Sequence, residues 1–150
     1  MHKRITFDKY LILLAHVAKL RSQDQFRRIG AVCADKNNRI ISTGFNGLAS
    51  GFEPPKDLYL NRENPLREKI TYHGELNALM LCKKGDVHTM ALTCSPCQNC
   101  SKMIAAYGVK RVIFSEIYER EQFFKEIFDF YQISSPIILI EEITPYISEI

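Results

Sequence analysis

The sequence lacks the features of a membrane-spanning, secreted or multidomain protein. No run of about 18 apolar residues is present, so no membrane-spanning helix is predicted. The N-terminus has no apolar segment ending in small residues, as a secretory leader would, which favours a cytoplasmic location. Internal repeats, low-complexity segments and Gly/Ser-rich linkers are absent, and 150 residues is a typical size for one domain. We therefore predict a single domain over 1–150.

A strong charge of one sign and a disulfide framework are also missing. The chain has 20 basic and 17 acidic residues, and the net charge of +3 is small for a nucleic-acid-binding groove. The five cysteines are odd in number and no secretion signal accompanies them, which argues against disulfide pairing. Three of them are clustered, at Cys94, Cys97 and Cys100. Clustered cysteines in a reducing compartment bind metal or take part in chemistry, so this cluster is the first candidate site.

The periodicity of apolar residues predicts the element order αββαβαβαβ, and therefore a mixed sheet covered by helices on both faces. The segment 46–72 contains most of the turn-forming residues and is expected to be a long functional loop. After residue 140, isoleucine and acidic residues alternate in what we expect to be a tail. The predicted helices are 7–20, 74–84, 97–107 and 119–131, and the predicted strands are 29–34, 40–45, 88–94, 110–114 and 136–140.

Two short motifs point to chemistry: H-G-E, with His73 and Glu75, and P-C-Q-N-C, with Cys97 and Cys100. One histidine and two cysteines offer the nitrogen and sulfur ligands that suit Zn²⁺, and a catalytic zinc leaves its fourth position to water. Cys97 and Cys100 are three residues apart and therefore share a helix face. A carboxylate placed like Glu75 takes and returns protons beside such a water. This H-x-E…P-C-x-x-C pattern is the known signature of zinc-dependent nucleobase deaminases.

Other interpretations of the cysteines stay open. An iron–sulfur site is one alternative, although the fourth cysteine that such a site uses is missing nearby. A structural zinc with Cys94 as fourth ligand is another. Cys94 is expected at the end of a strand, however, and two residues separate it from the predicted helix that carries the other two cysteines. With Cys33 and Cys82, it is better explained as a packing residue.

Several longer motifs extend the match beyond the metal signature. They are R-I-G-A-V from Arg28, I-I-S-T-G-F-N-G through Asn46, Y-H-G-E-L-N-A around His73, S-P-C-Q-N-C-S-K and G-V-K-R-V-I-F. With these motifs the chain resembles the deoxycytidylate (dCMP) deaminase family of the cytidine deaminase-like superfamily, over residues 7–120. The resemblance implies an α/β fold, a three-layer α/β/α sandwich with a five-stranded mixed sheet.

The resemblance also implies an activity and a set of site residues. The activity is zinc-dependent hydrolysis of dCMP to dUMP and ammonia, which supplies dUMP for thymidylate synthesis. Glu75 is the implied catalytic residue, with one Zn²⁺ per chain, because the long loop has no cysteine or histidine for the second zinc of some members. Asn46 is implied to hold the sugar and Tyr118 to form a wall of the base pocket. The implied phosphate contacts are Arg28 and Arg120.

Assembly and regulation are implied by resemblance as well. Family members are homo-oligomers, often hexamers, switched on by dCTP and off by dTTP, with Mg²⁺ accompanying the triphosphate. A cluster of aromatic residues is more than one helix needs for a small core, and we expect part of it to be exposed at an interface. These residues are Phe123, Phe124, Phe128, Phe130 and Tyr131.

Three alternative functions stay open. The first is a deaminase acting on a base within tRNA or DNA, which the small net charge disfavours. The second is a deaminase of free nucleosides. The third is a zinc-stabilised binding domain without activity, which would not need the carboxylate of Glu75.

Overall fold

The computed structural model describes residues 3–150, and a mixed sheet lies at its centre. In the described residues the sheet has four strands, in the order β2-β1-β3-β4. Strand β1 is antiparallel to β2 and β3, while β3 and β4 are parallel, so the prediction of a mixed sheet is confirmed. The strands are β1 (Gly30–Ala34), β2 (Ile40–Phe45), β3 (Thr89–Leu92) and β4 (Arg111–Phe114).

Helices cover both faces of this sheet, which gives the expected α/β/α layering. Helices α3, α4 and α5 contribute buried residues to the core on one face, and α1 and α6 to the core on the other. The short α2 lies in the long loop between β2 and α3. The helices are α1 (Phe7–Ala18), α2 (Pro65–Ile70), α3 (Gly74–Leu79), α4 (Gln98–Ala106), α5 (Phe124–Phe130) and α6 (Ile140–Ile147).

Successive side chains of the central strands point to opposite faces of the sheet and so contribute to both cores. In β3, Met90 and Leu92 pack on the side of α3 and α4, whereas Ala91 between them packs on the side of α1. Because successive side chains of a strand point to opposite faces, a continuous apolar strand supplies both cores at once. Strand β4 does the same with Val112 and Ile113.

The prediction of a fifth regular strand over 136–140 is wrong. Residues 134–138 do run parallel to β4: Val112 donates to the Ser134 carbonyl at 2.8 Å, and Ile138 donates to the Phe114 carbonyl at 3.0 Å. Pro136, at the middle of this segment, has no N–H to donate to the ladder. The pairing therefore reduces to two isolated bridges, and the chain enters α6 at Ile140.

Three further differences concern helices. The expected tail after residue 140 is the helix α6, whose Ile143 is fully buried against α1. The expected loop 46–72 contains α2, which begins with the Asn64 side chain accepting from the Leu66 N–H and with Pro65 in the first turn. The helices predicted over 74–84 and 119–131 are shorter than expected.

Close approach of α3 to β2 depends on Gly44. A Cβ atom at this position would lie 2.5 Å from the backbone nitrogen of Ala78 and 2.5 Å from the carbonyl oxygen of Gly74. Glycine therefore lets the helix pack directly on the strand, which fixes the start of α3. No helix within residues 3–150 is both long and apolar enough to cross a membrane.

Candidate active site

The candidate metal ligands lie at the starts of two helices. His73 immediately precedes α3 and Cys97 immediately precedes α4, both with extended backbone angles, and Cys100 lies in the first turn of α4. The Sγ atoms of Cys97 and Cys100 lie 3.5 and 3.4 Å from Nδ1 of His73. The three ligand atoms, one from each residue, therefore all lie within 4.8 Å of one another.

This geometry fits a tetrahedral zinc. Zn–S bonds of about 2.3 Å and Zn–N bonds of about 2.0–2.1 Å place two tetrahedral ligands about 3.5 Å apart. The observed S···N separations of 3.4 and 3.5 Å agree with that value. Cys94 is not part of the group and instead accepts a hydrogen bond from Arg27. Residues 3–150 thus supply three ligands and no fourth, which is the ligand set of a catalytic zinc site.

Hydrogen bonds within the cluster favour a thiolate at Cys97. Contacts with Cys100 and His73 lower the pKa of Cys97 to about 4. The hydrogen bond to Cys97 raises the pKa of His73, and the same thiolate raises the pKa of Cys100. One negative charge is therefore already stabilised at the point where a cation would bind.

Glu75 lies beside this cluster in the first turn of α3. Its side chain is buried, at 5% exposure, and burial raises the pKa of its carboxyl group. It lines the same cleft as His73 and Cys97. A carboxyl group that is withdrawn from bulk water but open to a ligand cleft is suited to taking and returning protons.

The cleft has a volume of about 260 Å³. Of the residues expected from the sequence, Asn46 and Tyr118 line it together with the cluster, whereas Arg28 and Arg120 are exposed and do not. Cys100 lines a smaller adjoining pocket of about 170 Å³ with mainly apolar walls. The complete cleft lining is Asp24, Arg27, Ile29, Asn46, Arg67, Glu68, Thr71, His73, Glu75, Ser95, Cys97 and Tyr118.

Asn46 fixes the chain segment that leads into β1. Its Oδ1 accepts from the Ile29 N–H at 2.8 Å, and its Nδ2 donates to the Arg27 carbonyl at 2.8 Å. Each end of the amide keeps capacity for one more hydrogen bond, because the oxygen has a second lone pair and the nitrogen a second N–H. The predicted contact of Asn46 with a sugar is therefore compatible with its structural role and stays a prediction.

Four charged residues of the cleft lining were not identified from the sequence: Asp24, Arg27, Arg67 and Glu68. Arg27 stacks on the ring of Tyr118, 3.9 Å from its centre. Arg67 projects from α2 and forms an ion pair with Asp24. Arg27 adjoins Arg28 in sequence, and only backbone geometry decides which one faces the cleft. Arg67 belongs to no motif. It reaches the cleft from helix α2, which lies in the segment expected to be a loop.

Gly74 lies at a tight contact. A Cβ atom there would lie 3.1 Å from the Ile29 carbonyl oxygen and 3.4 Å from the Asn46 nitrogen. Glycine therefore allows the segment before β1 and the loop after β2 to close on the start of α3. This contact brings the metal-ligand motif and the Asn46 turn together.

Comparison with known proteins places the chain in a family. It is 34% identical to the deoxycytidylate deaminase of Mus musculus over 117 residues, which cover 73% of this chain and 65% of that protein. It is 31% identical to the deoxycytidylate deaminase of Mycobacterium phage D29, which covers 74% of this chain and 95% of the phage protein. The chain thus spans slightly less than two thirds of the mammalian relative.

A solved structure agrees in fold. The crystal structure of dCMP deaminase from the cyanophage S-TIM5, in complex with dCMP and dUMP, matches with a TM-score of 0.73. The identity is 27%, and the match covers 91% of this chain and 100% of that one. The model of the cytidine and deoxycytidylate deaminase zinc-binding region matches residues 5–116, which include the whole His73, Cys97 and Cys100 cluster and Glu75. On that evidence the chain belongs to the cytidine and deoxycytidylate deaminase family.

Proposed function

We propose that this protein is a zinc-dependent dCMP deaminase that hydrolyses dCMP to dUMP and ammonia, supplying dUMP for thymidylate synthesis. The observation that carries the proposal is that three metal ligands meet beside a buried carboxylate, and that two of these ligands and the carboxylate line one cleft. Relatives named deoxycytidylate deaminase and the S-TIM5 complex with dCMP and dUMP support the choice of substrate.

One zinc ion per chain would be held by His73, Cys97 and Cys100. When bound, it supplies Lewis-acid activation of the water that attacks C4 of the cytosine ring. The protein contributes a preformed ligand triangle, because the two helix starts already hold the sulfur and nitrogen atoms at zinc-binding separations.

Glu75 is the proposed proton carrier. Its carboxylate takes a proton from the attacking water and delivers it to N3 of the ring. It then assists protonation of the amino group at C4, which leaves as ammonia while the C4 oxygen becomes the carbonyl of dUMP. Burial in the wall of the cleft keeps this carboxylate away from bulk water during both transfers.

The remaining cleft residues are assigned to substrate binding. Tyr118 lines the cleft, and an aromatic residue there suits a wall against the base. Asn46 has one lone pair and one N–H free for the sugar. Arg28 and Arg120 stay predicted phosphate contacts by family resemblance, and their exposed side chains would have to turn toward the cleft to act in this way.

Assembly, regulation and location follow the same family expectation. We propose a homo-oligomer, a hexamer by resemblance, that responds to dCTP with Mg²⁺ and to dTTP and works in the cytoplasm. Of the five aromatics noted in the sequence, Phe124 and Phe128 are buried, while Phe123, Phe130 and Tyr131 are 51%, 79% and 56% exposed. Light scattering with and without nucleotide tests the assembly, and a monomer under every condition would contradict it.

The substrate is tested by ammonia release from a panel of compounds. Purified zinc-loaded protein is incubated separately with dCMP, CMP, deoxycytidine, cytosine and tRNA. Release from dCMP, abolished in the Glu75→Gln variant, is the expected result. Release from tRNA alone would support a nucleic-acid deaminase, and no release from any of them would support a binding domain without activity.

A further inference from the structure

A buried carboxylate in the cleft, Asp24, accepts from the backbone N–H of Arg27 and pairs with the guanidinium of Arg67, two arginines that no motif identified. We infer that Arg27 and Arg67, arranged by Asp24, form the site that binds the 5′-phosphate of the substrate. The inference rests on the proposed function, because a phosphorylated substrate is what such a site would select. It assigns phosphate recognition to different residues than the family motifs do.

Asp24 is the organising group. Its side chain is 2% exposed, and Oδ1 accepts from the backbone N–H groups of Phe26 and Arg27 at 2.8 and 3.0 Å. Its other oxygen, Oδ2, pairs with the guanidinium of Arg67. A single buried carboxylate therefore sets the turn that presents Arg27 and also ties down the side chain of Arg67. The pair links the segment before β1 to helix α2.

Arg27 is held in place by contacts that leave most of its donors free. Its guanidinium stacks on Tyr118, and one nitrogen donates to Sγ of Cys94. Stacking uses the face of the guanidinium, so the N–H groups along its edge stay available. An edge with several parallel donors is suited to the oxygens of a phosphate.

Arg67 is only partly satisfied. One of its nitrogens pairs with Asp24, while its Nε is buried and has no hydrogen-bond partner in residues 3–150. Its side chain is 17% exposed, lies over Phe26 and lines the cleft. Because Nε is enclosed, an anion in the cleft would meet the terminal nitrogens of this guanidinium, one of which is already paired with Asp24.

The cleft lining holds charges of both signs. Its arginines are Arg27 and Arg67, and its carboxylates are Asp24, exposed Glu68 and buried Glu75. Asp24 is already committed to Arg67 and to two N–H groups, so an incoming anion is opposed by Glu68 and Glu75 and has to engage both arginines. A phosphate monoester carries about −1.5 to −2 charges at pH 7 and offers three acceptor oxygens, enough to engage both arginines.

The test compares single arginine-to-alanine variants for kcat/KM on dCMP and on deoxycytidine, which lacks the phosphate. We expect Arg27→Ala and Arg67→Ala each to lower kcat/KM for dCMP by about 10- to 100-fold, with a much smaller effect on deoxycytidine. Arg62→Ala, an exposed residue of the same loop outside the cleft lining, is the matched control for loss of one positive charge. Arg67→Lys should recover part of the loss.

Asp24→Asn tests the positioning role. Asparagine keeps an oxygen that accepts the two N–H groups but removes the charge that holds Arg67. We expect the KM for dCMP to rise more than kcat falls, with little change for deoxycytidine, and a lower melting temperature because a buried ion pair is broken. A purely structural role would instead affect kcat/KM for both substrates alike.

A binding measurement separates this inference from the proposed activity. Calorimetric titration with dUMP and with deoxyuridine measures how much the phosphate contributes to binding affinity. This measurement does not need activity. If the wild type deaminates neither dCMP nor deoxycytidine, only the proposed function is refuted. The inference is supported if Arg27→Ala and Arg67→Ala no longer bind dUMP more tightly than deoxyuridine. The inference is overturned if both variants still bind dUMP more tightly than deoxyuridine by the wild-type factor. It is also overturned if Arg28→Ala and Arg120→Ala lose this difference instead.

Discussion

Sγ of Cys100 lies 3.4 Å from Nδ1 of His73, although 27 positions separate the two residues in the chain. The contact exists because α3 and α4 begin side by side, each presenting its first residues to the same point. Gly44 and Gly74 allow the close packing that holds α3 there. The ligand triangle is therefore a property of the fold and needs little rearrangement to accept a cation.

The first prediction concerns metal content. We expect one zinc per chain in the wild type and a large loss of bound zinc in Cys97→Ala, because two ligands cannot replace three at a tetrahedral site. Metal analysis of the purified proteins provides the measurement, with Cys94→Ala as the matched control. A wild type without zinc, or full occupancy in Cys97→Ala, would contradict the assignment.

The second prediction concerns Glu75→Gln. The amide keeps the size and hydrogen-bonding capacity of the side chain but cannot carry a proton. Turnover of dCMP should therefore fall by about 10²–10⁴, the usual contribution of general acid–base catalysis. Zinc content and melting temperature should stay at the wild-type level, and a variant that retains near wild-type turnover would remove Glu75 from the mechanism.

The third prediction concerns Gly44→Ala. The added methyl group would lie 2.5 Å from backbone atoms of α3, which cannot move without displacing the helix. We expect the free energy of unfolding to fall by about 1–3 kcal/mol or more, as measured by urea denaturation. Gly47→Ala is the control, since its methyl group would come no closer than 3.7 Å to another side chain. Equal stability of the two variants would show that α3 is not packed as described.

The fourth prediction concerns pH and His16. Burial, together with the nearby charge of Lys19, lowers the pKa of His16 from 6.5 to about 4. Its Nε2 lies 3.0 Å from Oγ of Ser115. Between pH 6.5 and 4 the unfolded chain binds a proton here that the folded protein does not, so stability falls as the pH falls through this range.

Because His16 is partly exposed, solvent screening limits its contribution to about 1–2 kcal/mol. The difference in unfolding free energy between the wild type and His16→Gln, measured from pH 7 to pH 4.5, isolates this contribution from the carboxylates that titrate in both proteins. We expect the wild type to lose more stability than the variant on acidification. Parallel curves of unfolding free energy against pH for the two proteins would rule out a lowered pKa of His16.

The sequence was most informative where chemistry depends on local spacing. His73 and Glu75 are two positions apart, and Cys97 and Cys100 three apart, so each motif predicted a helix start with its side chains directed toward one point. The structure brings these motifs together. The α/β/α layering also followed from the sequence, because apolar strands alternating with amphipathic helices leave few other arrangements.

The sequence was less informative where the outcome depends on neighbouring segments. The family resemblance pointed to Arg28, yet Arg27, whose N–H is held by Asp24, is the one of the two that lines the cleft. The segment 136–140 has strand-like composition, but Pro136 interrupts its pairing with β4. Two signals were present without being used: Asn64-Pro65 as a helix start, and the spacing of Ile140, Ile143 and Ile147 on one helix face.

The central claim is that the cleft selects a phosphorylated deoxycytidine for deamination. The most direct measurement is the ratio of kcat/KM for dCMP to kcat/KM for deoxycytidine with the wild-type zinc-loaded protein. Two charge-assisted contacts to the phosphate predict a ratio of about 10²–10⁴ in favour of dCMP. A ratio near one would contradict the claim and identify the protein as a nucleoside deaminase.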